Sequence, residues 1–321
     1  MKAIKYDKYG SYKRIYCTEI EKPQIRDDEI LVKVHSASLN QLDVHVLEGS
    51  PLFFRIFTGL FRPKNKRLGS DISGTIESIG HSVSEFTVGE EVFGQIFIDQ
   101  DGGFAEYVLC KSNQIAKKPS NASHNEAASL PIAGVTALQC LRDANVKKGS
   151  NVLVQGASGG VGTFVIQIAK ALEANVTAIC STRNVEFARK SGADRIIDYK
   201  KEKWNYKEKK YDAIINVNGY NKIRKYIRAL NDNGSCILVG GRLWQTFEMF
   251  LVKPFLRKSS KTLNGFLTKP SRKDLTELSN LLKEKKIQPI IDVEFKLEDT
   301  NEAFKHIMEG KTLGKTILKI V

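Results

Sequence analysis

The chain has 321 residues, 41% of them hydrophobic, and a formal net charge of +14 at pH 7, which predicts about two domains with ample core. Residues 50–70 hold five Lys/Arg and no acid, and residues 242–273 hold eight Lys/Arg and one acid, so two windows carry +12 of that charge; the balanced remainder argues against a diffusely basic nucleic-acid binder. The five cysteines (Cys17, Cys110, Cys140, Cys180, Cys236) form no CxxC, and there is neither a signal-peptide apolar region nor a membrane-length apolar run, so the expectation is a cytoplasmic protein with no disulfide framework and no structural zinc lobe.

Met1–Ile4, Ile15–Ile20 and Ile30–Val34 read as strands joined by polar turns. Ala37–Gly49 reads as a strand end running into a short helix, and Pro51–Arg67 as a long basic, aromatic loop. Arg67–Gly80, Val88–Phe97 and Gly102–Cys110 continue the strands, so the first third predicts a small all-β barrel. His124–Leu130 and Thr136–Asp143 read as helices on either side of Pro131.

Asn151–Val154 is a short apolar, β-prone run, Gly156–Gly162 a glycine-rich turn, Phe164–Leu172 a helix by apolar spacing, and Val176–Cys180 a second strand. Together they make one βαβ unit. Its turn is Ala157-x-Gly159-x-x-Gly162, the dinucleotide fingerprint with alanine in first place. Gly159 lets backbone approach a pyrophosphate, Gly162 lets the helix pack close on the strand, and the phosphates meet the helix N-terminus. An NAD site wants an acid about 20 residues on. Here Cys180 is followed by Ser181, Thr182 and Arg183, with no acid until Glu186. Two hydroxyls and a guanidinium suit a 2′-phosphate, which a carboxylate would repel, so NADP(H) is favoured.

Val185–Ser191 then reads as a helix, and Arg195–Asp198, Tyr211–Asn216, Cys236–Gly240 and Lys261–Leu267 as strands of a doubly wound parallel sheet. Arg272–Lys285 and Glu302–Glu309 read as amphipathic helices and Lys315–Ile320 as a last strand. The predicted division is 1–122 with 270–321 for the barrel domain and 123–269 for the nucleotide domain.

The chain resembles the medium-chain dehydrogenase/reductases over nearly its whole length, and among them the zinc-free quinone oxidoreductase branch. The resemblance rests on Asn40-x-x-Asp43, Gly69-x-Asp71-x-x-Gly74, Gly102–Tyr107, Ala127–Ala137, Gly156–Gly162, Ser191–Asp194 with Asp198-Tyr199, and Gly314-Lys315. It implies a GroES-like barrel plus a Rossmann domain, with the substrate between them. It implies that Ser158, Gly159, Gly160 and Val161 face the pyrophosphate, and that Ser181, Arg183 and Tyr199 surround the adenosine phosphate. It places Asn218 near the adenine, Gly240, Gly241, Phe266 and Leu267 on the nicotinamide side, Thr136 near the ring amide and Lys315 at the phosphates. Homodimers are common in the family.

Zinc-dependent relatives carry a cysteine at the start of the catalytic region and a Gly-His-Glu further on. This chain has no cysteine between Cys17 and Cys110, the second motif reads Gly69-Ser70-Asp71, and its histidines show no ligand spacing, so no metal site is expected. Without a Lewis acid, reduction of a quinone or an activated C=C is easier than oxidation of a simple alcohol. Asn40 and His45 are the candidates for polarising the acceptor's carbonyl. Family members often have Tyr in place of His45 and a basic residue in place of Glu48. The expected activity is therefore a zinc-independent, NADPH-dependent reduction of quinones or α,β-unsaturated carbonyls. The alternatives are an enone or alkenal reductase with no quinone preference, and a non-catalytic, cofactor-binding, membrane-associated protein.

The two basic windows are also aromatic: Phe53, Phe54, Phe57 and Phe61 in one, and Leu243, Trp244, Phe247, Phe250 and Phe255 in the other, the latter beside Arg257, Lys258 and Lys261. If these aromatics face outward, they suit weak peripheral contact with an anionic membrane and a small lipophilic substrate; if inward, they are core beneath a solvated charged face.

Overall fold

The computed structural model describes residues 1–52, 54–97, 99–207, 210–241, 243–310 and 312–321, and the side chains of all of these except 54, 57, 243, 246, 257 and 258. The chain forms two units. Unit 1 is Met1–Val135 with Pro270–Lys285 and Pro289–Val321, and unit 2 is Thr136–Lys269 with Lys286–Gln288.

In chain order, β1 (Lys2–Lys5), β2 (Tyr16–Glu19), β3 (Ile30–Leu39), α1 (Gln41–Glu48), α2 (Phe54–Thr58), β4 (Asp71–Ile79), β5 (Glu91–Gln95), β6 (Tyr107–Cys110), β7 (Ile115–Lys117) and α3 (His124–Ala128) come first. Then follow α4 (Pro131–Asp143), β8 (Asn151–Gln155), α5 (Gly160–Ala171), β9 (Asn175–Cys180), α6 (Val185–Lys190), β10 (Arg195–Asp198), β11 (Tyr211–Val217), α7 (Ile223–Ala229), β12 (Leu230–Val239), α8 (Leu243–Val252) and β13 (Thr262–Phe266). The chain closes with α9 (Arg272–Lys283), β14 (Ile291–Lys296), α10 (Thr300–Met308) and β15 (Lys315–Lys319).

Unit 1 is built on the sheet β14-β15-β3-β4-β5-β7, with β6 also on β3. All its pairings are antiparallel except β14 with β15. Its core gathers Val32, Val34, Ile72, Ile76, Phe104, Phe304 and Leu318. The C-terminal strand therefore completes a sheet begun near the N-terminus. The sequence predicts departure from this unit at residue 123, but α3 packs on β3 and β4. Its start is capped by Ser123, whose hydroxyl accepts the Glu126 N–H. Likewise α4 starts at Pro131 rather than after it, because a helix needs no donor at its first position and proline's fixed φ suits it.

Unit 2 is a six-stranded, all-parallel sheet in the order β10-β9-β8-β11-β12-β13. Numbered within the unit this is 3-2-1-4-5-6, with a switch point between β8 and β11. Its strands are near-continuously apolar because both faces are covered; α5 alone buries Gly162–Ala169. The sequence reading foresees neither α7 nor α8 in this unit, nor in unit 1 the short α2 within the stretch Pro51–Arg67 read as a loop. Helix α8, Leu243–Val252, turns Gln245 and Glu248 inward and exposes Trp244, Phe247 and Phe250, so its polar residues do not mark an outer face. β12 begins at Leu230, ahead of the predicted Cys236: Leu230 pairs with Tyr211 and Ser235 with Ala213, and the turn-like Asn231–Gly234 bulges out between those two pairs.

Candidate functional site

The carboxyl ends of the six parallel strands carry nearly all the residues expected at the cofactor. β8 leads into Gly156–Gly162, β9 into Ser181, Thr182 and Arg183, and β10 into Tyr199. β11 leads into Asn218, β12 into Gly240 and Gly241, and β13 ends on Phe266 with Leu267 next. Spread over 110 residues of sequence, they meet along one edge because every crossover is parallel. Thr136 lies on α4, buried, with its hydroxyl 2.5 Å from that of Thr268.

The glycines of the first turn do different jobs. Gly156 has φ +75°, and a Cβ there would lie 2.1 Å from the Val217 carbonyl oxygen. A Cβ at Gly162 would lie 2.1 Å from the Gly156 oxygen. Both are therefore required by the chain's own packing. Gly159 is not: its φ is −82°, and a Cβ would meet only the Gly156 oxygen, at 3.7 Å. The space it leaves open faces the start of α5, whose first-turn N–H groups have no intrahelical acceptor and whose first turn holds no acid. This is a cradle fitted to a pyrophosphate. Ser158 is steadied from behind, since Asn184 Nδ2 donates to its Oγ at 2.6 Å.

Past β9, Ser181 begins a 3-10 turn, Thr182–Asn184, with Thr182 and Arg183 exposed. The structure adds one acid here that spacing along the chain does not reveal. Asp198, from the neighbouring strand, is hydrogen-bonded to Thr182 and accepts the Lys200 N–H at 3.0 Å. Asn218 has the left-handed φ of 48°, an uncommon conformation for a non-glycine residue and one that clusters at functional sites.

The remaining expected residues lie in unit 1. Asn40 precedes α1, and its N–H donates to Asp43 Oδ2 at 2.8 Å. Its side-chain Nδ2 donates to Asp71 Oδ2 at 2.9 Å and, weakly, to the Ser38 carbonyl at 3.4 Å. Its Oδ1 accepts from Lys315 Nζ at 2.6 Å. The resemblance sets Lys315 at the cofactor phosphates; in the structure it is 3% exposed, with its ammonium on Asn40 and 3.5 Å from Asp71. Asp71 also takes the Ser38 hydroxyl at 3.1 Å and the Ile132 N–H at 3.1 Å, the latter from the first turn of α4. The Ser70 hydroxyl donates to Asp43 at 2.9 Å.

Two carboxylates thus share one ammonium in a sealed site. Burial, then the charge of Asp71, pushes the Asp43 carboxyl up to about 6. Burial also raises the carboxyl of Asp71, against the opposing pull of Lys315 and its hydrogen-bond donors, and it lowers the ammonium of Lys315. His45 is half-buried on α1, and burial lowers its pKa. Its imidazole is therefore neutral at pH 7. Among the described residues, no group of three His, Cys, Asp or Glu is gathered to hold a metal ion.

Known proteins place this arrangement. Residues 26–120 match the alcohol dehydrogenase GroES-like domain family and residues 191–318 the zinc-binding dehydrogenase family. A mitochondrial NAD(P)H oxidoreductase of Bos taurus is 33% identical over all of this chain and 89% of its own length. A 2-methylene-furan-3-one reductase of Solanum lycopersicum is 31% identical over 99% of this chain and 79% of its own. The solved quinone oxidoreductase from Coxiella burnetii superposes with a TM-score of 0.90 at 31% identity, covering 100% of this chain and 99% of that one. The chain belongs to the medium-chain dehydrogenase/reductase superfamily, in its quinone oxidoreductase-like branch. In this family's terms, unit 1 carries the GroES-like fold and unit 2 the Rossmann fold. The bovine relative is named as mitochondrial, so the comparison lends nothing to the cytoplasmic expectation. No helix among the described residues is long and apolar enough to cross a membrane.

Proposed function

We propose that this chain is a zinc-independent, NADPH-dependent oxidoreductase that reduces quinones or α,β-unsaturated carbonyls. The observation that carries the reading is Gly159, a glycine that the chain's own packing does not require, set before a helix start free of acids. The names of the bovine, tomato and Coxiella relatives support an NAD(P)H oxidoreductase acting on a conjugated carbonyl or quinone. Ser181, Thr182 and Arg183 in place of an acid at the end of β9 favour the 2′-phosphorylated cofactor.

When bound, the nicotinamide supplies the hydride. Ser158–Val161 would hold the pyrophosphate, Ser181–Arg183 and Tyr199 the adenosine phosphate, and Gly240, Gly241, Phe266 and Leu267 would lie on the nicotinamide side. Thr136 is assigned to the ring amide. Asn40 and His45 are assigned to the acceptor. Asn40 Nδ2 has one hydrogen engaged only weakly, at 3.4 Å by the Ser38 carbonyl, and that hydrogen is the one assigned to a carbonyl oxygen that gains charge. His45, neutral, donates a hydrogen bond rather than a cation's field. Lys315 and Asp71 grip the two ends of the Asn40 amide and keep its orientation. The small lipophilic substrate and the homodimer common in the family belong to the same reading.

The test is NADPH consumption against 1,4-quinones, 2-alkenals and simple alcohols, with and without chelator, alongside metal analysis. The expected result is turnover of the first two classes, unaffected by the chelator. Stoichiometric zinc whose removal abolishes turnover overturns the zinc-independent reading, and tight NADPH binding with no turnover of any acceptor leaves a cofactor-binding protein.

A specific observation favours a second role. Trp244, Phe247, Phe250, Leu251 and Phe255 of the second basic window are exposed, Phe247 by 67% and Phe255 by 84%. Beside them is a groove of about 390 Å³ lined by Phe250, Lys253, Pro254, Leu256, Lys261 and Leu263 among others. The window's acid, Glu248, is turned in to the Ile223 N–H at 2.9 Å. A second copy docking through the same face would set basic residues against basic residues. An anionic lipid surface complements it, so weak peripheral docking there is part of the proposal. In the first window Phe61, Leu52, Ile56 and Leu60 are exposed as well. Phe53 lies outside the described residues, as do the side chains of Phe54, Phe57, Leu243, Arg257 and Lys258.

A further inference from the structure

Two exposed tyrosines meet over the carboxyl edge of unit 2, and only one of them belongs to the site as read from the sequence. Tyr199 follows β10 and Tyr220 follows β11. In the sheet, β9 and β8 lie between those strands. Three strand spacings separate the two strand ends by about 14 Å, yet the ring centroids are 5.2 Å apart, edge-on at 68°. The rings therefore lean toward each other across the ends of β8 and β9, the two strands that lead into the glycine turn and into Ser181–Arg183.

The backbone beneath both rings is fixed. The Tyr199 N–H donates to the Cys180 carbonyl at 3.1 Å, which ties it to the end of β9. The Asn218 N–H donates to the Val239 carbonyl at 3.1 Å. A Cβ at Gly219 would lie 1.7 Å from Asn216 Oδ1, so the turn before Tyr220 is closely fitted. After it, Asn221 Nδ2 donates to Gln155 Oε1 at 3.0 Å, and the Asn221 carbonyl accepts from Gln245 Nε2 at 2.9 Å. The rings themselves are 40% and 44% exposed. Rigid stems with exposed aromatic faces and a mutual contact that side-chain rotation alone can open form a slot for a flat, π-faced ligand. The Lys200 ammonium, 5.9 Å from the Tyr199 ring centroid, adds positive charge at its rim.

We propose that Tyr220 and Tyr199 form a purine clamp: the adenine of the dinucleotide enters between the rings, which part to stack on it. The clamp rests on the reading of this edge as a dinucleotide site and deepens it by assigning the base-binding side chain. It differs from the role of Arg183, which recognises charge; Tyr220 recognises the ring and is indifferent to the 2′-phosphate.

The experiment measures binding by calorimetry, with no turnover required, using NADPH, 2′,5′-ADP and the adenine-free nicotinamide mononucleotide as probes. Wild type, Tyr220→Ala and Tyr220→Phe are compared, with thermal melts recorded for each. Loss of one stacking face predicts about 10- to 100-fold weaker binding of NADPH and of 2′,5′-ADP to Tyr220→Ala. Tyr220→Phe is expected to stay within about threefold of wild type, since it keeps the face, and nicotinamide mononucleotide is expected to be indifferent to both changes. As a second readout, the fluorescence of Tyr220→Trp should respond to 2′,5′-ADP. If wild type binds these nucleotides and Tyr220→Ala binds them equally well, the clamp is wrong and the dinucleotide site stands. If wild type binds neither NADPH nor 2′,5′-ADP, the dinucleotide reading falls and the clamp with it.

Discussion

At the scale of single residues, two side chains make separable predictions. Arg183 follows β9, where a carboxylate would select the unphosphorylated cofactor. Replacing it by Asp removes a charge-assisted contact worth about 1.5–3 kcal/mol. The expected outcome is a KM for NADPH raised about 10–150-fold with that for NADH little changed; steady-state kinetics with both cofactors measures it, and an unchanged NADPH/NADH ratio rejects the assignment. Asp43 makes a pH prediction. Its folded-state pKa, about 6, lies above the ordinary 3.8, so the fold favours the protonated form. The stability this gives is fully present below about pH 3.8 and is lost as pH rises through about 6. Asp43→Asn stays neutral throughout, so its Tm relative to wild type should rise as the pH is raised from 4 to 7. A Tm difference independent of pH over that range would mean that Asp43 does not titrate there.

At the scale of elements, the β8–α5 turn separates glycines that hold the fold from one that faces a ligand. Gly162→Ala forces a Cβ against backbone and should lower Tm clearly. Gly159→Ala meets no such atom; its thermal stability should be unchanged or slightly higher, because alanine restricts the unfolded chain. Dinucleotide affinity should nevertheless fall, since the new methyl occupies the phosphate approach. Melting curves with and without NADPH measure both effects. Equal NADPH stabilisation of wild type and Gly159→Ala would leave the cradle without a ligand. This turn was legible in the sequence because strand, turn and helix are contiguous. Helices α7 and α8 were not. α8 owes its helical state to packing of Met249 and Val252 on the unit 2 core, with further apolar residues facing out, so no polar face marked its period.

At the scale of the whole molecule, the charge is concentrated in surfaces that also expose aromatics. Co-sedimentation with vesicles containing anionic lipid should detect binding at low salt that weakens at high salt. Phe247→Ser combined with Phe250→Ser and Phe255→Ser should reduce that binding, while the melting temperature stays near that of wild type because these side chains lie outside the core. Absence of binding at low salt, or indifference to the three changes, would leave the surface without a lipid partner.

The sequence by itself determined the fold class, the family and which segments carry the nucleotide-binding residues. Those signals are local in the chain: apolar runs of strand length, a glycine turn between strand and helix, and a hydroxyl–hydroxyl–guanidinium run after the second strand. Tertiary structure alone decided the rest. Asp198 reaches Thr182 from a neighbouring strand, Tyr220 reaches Tyr199 across two strand ends, and Lys315 meets Asn40 and Asp71 from 275 and 244 positions away in the chain. The physical reason is that a buried charge must find its partners wherever the packed interior brings them, and sheet order, which no local pattern encodes, sets which strand ends become neighbours.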